Sequence, residues 1–167
     1  MPTEKGRAEP FATIPSEASG DTLATVSSGL DHIRGILNGD VPQAPMALTL
    51  GFELTRAEFG EATFEAEPGE QHLNPLGTVH GGLAMTMLDS AAGCAVHTTL
   101  AAGEQYATLE TKVNMLRPLL PGSGVIVADG KVLHRGSRTA LSEATLRSKE
   151  TGKTLAHATS TCIILSA

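Results

Sequence analysis

The chain has 167 residues, 41% of them hydrophobic and 3% aromatic with no tryptophan, and carries a formal net charge of −6. That length supports one domain with a real core. The acidic balance excludes a general nucleic-acid binder, and the scarcity of aromatics excludes a surface built to stack bases or sugars. The two cysteines, Cys94 and Cys162, lie in apolar runs and read as small buried hydrophobes rather than a disulfide framework. With no leader-like segment in residues 1–12 and no apolar run of membrane-spanning length, the expectation is a cytoplasmic protein with no membrane partner.

Residues 1–20 mix Pro, Ser, Glu and Gly without periodicity and read as a tail, leaving residues 21–167 as a single domain. Leu23, Val26, Leu30, Ile33 and Leu37 then recur at helical spacing, with Asp21 or Thr22 placed to cap the start and Asn38-Gly39 to stop it. Val41 to Pro45 is a linker, and Met46 to Leu50 a short turn of helix ending at Gly51. From Phe52 the period changes to two, and two strands flanking Phe59-Gly60 make a hairpin.

The next stretch opens as a Pro/Gly loop at Asn74, passes through His80-Gly81-Gly82, and becomes a helix that is apolar on nearly all sides. Such a helix is a buried one. Asp89 nevertheless stands in its middle, with no Lys or Arg between Gln71 and Lys112 to neutralise it. Burying an unpaired charge costs several kcal/mol, so the position calls for a compensating or functional role. Four strands follow, Tyr106 to Leu116, Val125 to Arg135, Thr139 to Arg147 and Thr154 to Leu165. The periodicity predicts an α+β fold in which the later strands form an antiparallel meander, and a six-stranded sheet curls around the single buried helix.

Asn74, His80-Gly81-Gly82 and Asp89, at the loop and start of a helix after a hairpin, resemble the hotdog-fold thioesterases, and within them the phenylacetate-degradation branch of acyl-CoA thioesterases. The resemblance covers roughly Pro45 to Leu165. It implies a hotdog fold, a homodimer or dimer of dimers, and hydrolysis of acyl-CoA to free acid and CoA. Thr108 is similar in position to a hydroxyl residue that helps hold the nucleophilic water in the family's mammalian members.

Thioester chemistry suits these residue types. A carbonyl under attack becomes an oxyanion, and the free amides at a helix start, near Gly81 and Gly82, supply donors and a favourable dipole. Asp89 then serves as general base on a water or as direct nucleophile. Asn74 would orient the carbonyl or the water, and His80 would hold the loop. For the CoA phosphates, the candidates are Arg117 and the turn bearing Arg135, Ser137 and Arg138, with Gly82 allowing close backbone approach. Met85, Met115, Leu116 and Phe52 are the apolar side chains considered for the acyl pocket. His72, His80 and His97 lack zinc-ligand spacing, so no metal is expected, and no cofactor beyond the CoA moiety of the substrate. Two other readings are a hotdog dehydratase or hydratase acting on acyl thioesters and a non-catalytic acyl-CoA-binding protein.

Overall fold

A computed structural model describes residues 27–166. The expected tail and the cap at Asp21 or Thr22 lie outside them. α1 is Gly29–Asn38, shorter at its start than the expected run from Leu23, capped by Ser28, whose hydroxyl accepts from the Asp31 amide, and closed by Gly39 in the left-handed conformation. α2 is Pro45–Leu50, with proline in its first turn and Gly51 at its end. β1 (Phe52–Glu58) and β2 (Glu61–Ala66) form the hairpin, and a single 3-10 turn follows at Glu70–His72. α3 spans Gly81–His97. The remaining strands are β3 (Glu104–Met115), β4 (Ile126–Arg135), β5 (Thr139–Ser148) and β6 (Thr154–Ser166).

All neighbours in the sheet are antiparallel, in the order β1-β2-β4-β5-β6-β3. The meander holds for β4, β5 and β6 but not for β3, which pairs with β6 at the far edge. The segment Leu116 to Val125, with Pro118, Pro121 and Gly122, is long enough to carry the chain across the sheet, so β4 pairs with β2 instead.

α3 is laid across the concave face of this sheet. Its Ala84, Met87, Leu88, Ala91 and Ala95 are fully buried and share one core with Phe64, Ile126, Ala128, Ala144, Leu146 and Ala158 from the strands. Small strand residues let the helix approach closely. The tightest approach from a strand is at Gly130 on β4, where an added Cβ would sit 2.1 Å from the Ala91 carbonyl oxygen. At its far end, Thr98 Oγ accepts from the Gly60 amide at 2.7 Å and donates to the Ala95 carbonyl, tying the hairpin turn to the helix. Among the described residues no helix is long and apolar enough to cross a membrane.

Candidate active site

The loop before α3 is held by its own side chains. Asn74 Oδ1 accepts from the amides of Leu76 (2.9 Å) and Thr78 (3.3 Å), while Nδ2 donates to Thr78 Oγ (2.7 Å). The expected role of Asn74 in orienting substrate therefore narrows, since its oxygen is already engaged in the loop and only its second amide hydrogen is left. Buried His72 braces the loop from behind, accepting from the Gly69 amide through Nδ1 and meeting the Leu50 carbonyl through Nε2 at 2.8 Å. Its carbonyl receives the His80 amide at 2.7 Å.

His80 is the N-cap of α3, and its Nδ1 accepts from the Gly82 amide at 2.8 Å. A backbone N–H can only donate, so the proton of the neutral ring sits on Nε2, as a donor on an exposed side chain. The pair of helix-start donors expected from Gly81 and Gly82 is thereby corrected to one. The Gly82 amide is consumed by the cap and that of Leu83 bonds the His80 carbonyl, which leaves the Gly81 amide open among the described residues. The helix start thus presents the Gly81 N–H and the His80 Nε2–H.

Asp89 is half-buried on the flank of α3 that faces β3. Thr111 Oγ donates to its Oδ1 at 2.8 Å, and Ser160 Oγ lies 3.1 Å behind Thr111. No Lys, Arg or His of the described residues pairs with Asp89, and its Oδ2 accepts no hydrogen bond from them. The hydroxyl that bonds Asp89 within the chain is that of Thr111, a residue not singled out in the sequence, whereas Thr108, expected from the resemblance to help hold a water near Asp89, makes no bond to it. A bulge between Thr108 and Glu110 explains the difference, because it puts Thr108 opposite Cys162 and Thr111 opposite Ser160 on one face of the sheet. Thr108 stands opposite Cys162 across the β3–β6 pair instead.

The negative charge of Asp89 is felt nearby. The Cys94 thiol is pushed up to about 12, first by burial and then by Asp89, so it stays protonated. Among the described residues no three His, Cys, Asp or Glu side chains gather where they could hold a metal ion.

The expected phosphate cluster divides. Arg135 is half-buried and ion-paired to Glu104 at 2.8 Å, and it also donates to the Gly136 carbonyl, so its charge is already answered. The Ala101 amide, reinforced by Arg135, holds the Glu104 carboxyl below the ordinary range. Ser137 and Arg138 are exposed at the β4–β5 turn, and Arg138 has no acidic partner among the described residues. Arg117 is exposed and donates to the Thr154 carbonyl. Of the apolar side chains considered for the acyl pocket, Phe52 is buried beside α2, whereas Met85, Met115 and Leu116 are exposed.

Comparison with known proteins agrees with the fold. Residues 76–155 match the family model of the thioesterase superfamily. Acyl-coenzyme A thioesterase 13 of the mouse, Mus musculus, is 32% identical over 92 residues, covering 55% of this chain and 64% of its own. The match thus spans somewhat under two thirds of that relative. The solved structure of the TT0310 protein from Thermus thermophilus is 30% identical, covers 72% of this chain and 97% of its own, and superposes with a TM-score of 0.65. The E. coli PaaI protein from the phenylacetic acid degradation operon shares the fold at 20% identity, with 84% of this chain and 98% of its own covered and a TM-score of 0.72. The putative esterase VNG_1336C of Halobacterium salinarum is 33% identical over 117 residues, 69% of this chain and 67% of its own. Together with the family-model match and the six-stranded antiparallel sheet wrapped on one helix, that relative places the chain in the thioesterase superfamily, with the hotdog fold.

Proposed function

We propose that the protein is an acyl-CoA thioesterase that hydrolyses an acyl-CoA to a free carboxylic acid and CoA, using Asp89 as the general base or nucleophile. The observation that carries this reading is the state of Asp89: a half-buried carboxylate with one oxygen held by the neutral hydroxyl of Thr111 and the other without a partner among the described residues. That is the condition of a group ready to accept a proton from water or to attack. In the base route, the water oxygen bonds to the thioester carbon as its proton passes to Asp89. The Gly81 amide and His80 Nε2–H stabilise the oxyanion, and collapse breaks the C–S bond, the thiolate leaving as the CoA thiol after protonation.

Gly81 and Asp89 are eight residues apart on one helix, or about 12 Å along its axis, too far to serve one carbonyl. A two-fold homodimer with antiparallel central helices would bring Asp89 of one copy to the Asn74–Gly82 loop of the other. The long, open and partly apolar edge of β3, with Leu109 61% exposed, supports pairing there. Ser137, Arg138 and Arg117 are the cations and hydroxyl assigned to the CoA phosphates. The two free thiols fit a reducing, cytoplasmic compartment.

Release of free thiol from an acyl-CoA panel tests the reading. Asp89→Asn should fold and lose turnover by about two to four orders of magnitude. Near-wild-type rates in the folded variant, or an enoyl product in place of free thiol, would overturn it.

A further inference from the structure

Ser160 of β6 lies directly opposite Thr111 of β3, and its side chain is fully buried. Its Oγ donates to the Glu110 carbonyl at 3.0 Å and lies 3.1 Å from Thr111 Oγ. Glu110 stands just past the bulge, where the pairing of β3 with β6 changes register. A bulge disrupts the regular ladder around it, and Ser160 brings a side-chain donor to a carbonyl at that point. One buried hydroxyl thus touches both the backbone that turns Thr111 inward and the Thr111 oxygen that serves Asp89.

The hydroxyl protons give this row a direction. The Asp89 carboxylate can only accept, so the single proton of the Thr111 hydroxyl is committed to Oδ1 at 2.8 Å. Thr111 Oγ then meets Ser160 as an acceptor, and the one proton of Ser160 is divided between Thr111 and the Glu110 carbonyl. A hydroxyl that receives a hydrogen bond while giving another is a stronger donor. Resting on the thioesterase reading, we propose that Ser160 is a positioning residue for the reaction, acting through Thr111 to hold Oδ1 of Asp89 and so leave Oδ2 to take the proton of water or to attack. Ser142 provides the contrast within the same row. It stands opposite Ser160 on β5 and is as fully buried, yet its Oγ has no hydrogen-bond partner among the described residues.

The test measures kcat and KM on the best substrate of an acyl-CoA panel for Ser160→Ala, Ser142→Ala, Thr111→Val and the double variant Ser160→Ala/Thr111→Val. Ser160→Ala should lower kcat about three- to tenfold with KM little changed, while Ser142→Ala should stay within about twofold of the wild type. In the Thr111→Val background, with no hydroxyl left to act through, Ser160→Ala should cost no more than about twofold. Ser160→Cys fills the site with a weaker donor and takes the place of the alanine variant if that one does not fold. Wild-type kcat in the folded Ser160 variant, an equal loss in Ser142→Ala, or losses that multiply in the double variant would overturn the proposal. If no thioester releases thiol, the thioesterase reading fails separately, and urea midpoints of the same variants decide the row. A smaller loss from Ser160→Ala in the Thr111→Val background than in the wild type supports it, and equal losses overturn it.

Discussion

The two edges of the sheet are finished in opposite ways. Along β1 the exposed positions carry Glu53, Arg56 and Glu58, with Arg56 paired to Glu61 on β2 and Glu58 to Arg34 on α1. Charge and a neighbouring helix make that edge a poor template for another strand. Along β3, twelve residues long, the outer edge is unpaired within the described residues and presents Leu109, with Met115 48% exposed further on. The flanks of α3 follow suit. Toward β1 the helix lines a small, mostly apolar cavity, and toward β3 it shows Met85 and the carboxylate of Asp89. The contrast teaches that Asp89 shares its side of the helix with the open edge, where the proposed function needs a second copy, while the flank toward β1 is covered within one chain.

The harshest way to break the comparison is to charge the open edge. If the proposed dimer pairs along β3, Leu109→Lys should convert it to monomer and lower activity by about a hundredfold or more, as both halves of the site separate. Sedimentation alongside thiol release reads both, and a fully active monomer would show that one chain suffices. A milder cut on the same flank is Thr111→Val, which removes the hydrogen bond to Asp89 and should reduce kcat about tenfold with KM little changed. Thr111→Ser should restore the rate, which distinguishes positioning from packing.

On the far side, His97 stacks on His32 of α1 and lies edge-on to Tyr106. Burial, and secondarily the charge of His32, lowers the His97 pKa to about 4. The unfolded chain, with an ordinary imidazole, therefore binds the proton first as pH falls. Stability conferred by neutral His97 is full above about pH 6.5 and is lost progressively down to about pH 4, an effect of about 3 kcal/mol. Urea midpoints across that window should fall in the wild type and flatten in His97→Phe. The smallest effect is expected at the exposed β4–β5 turn. Arg138→Ala should raise KM for acyl-CoA a few-fold, leave kcat alone, and have no effect on an acyl-pantetheine thioester.

The hairpin, the long buried helix and the end of the first helix were legible because each is a local matter of period and punctuation. Phe59-Gly60, Asn38-Gly39 and the apolar run from Leu83 to Val96 speak for themselves. Strand order was not legible, since the loop from Leu116 to Val125 does not say which free edge its next strand will meet. Thr111 was missed for a similar reason. Strict alternation from Tyr106 turns it outward, and only the bulge after Thr108 turns it in. The loss of the Gly82 amide to His80 depends on a ring rotamer, and the Arg135–Glu104 pair joins residues 31 apart in the chain. Neither leaves a mark in local spacing.

The close crossing at Gly130 gives the molecule a fixed point. Because the Ala91 carbonyl rests directly on a residue without a side chain, α3 is pinned near its middle, two residues beyond Asp89. Everything measured along the helix is thereby measured from one peg, with the His80 cap and the Asp89 carboxylate carried on the same rod. Sliding the rod would move both together, so the span from Gly81 to Asp89 cannot be retuned by a shift of the helix against the sheet.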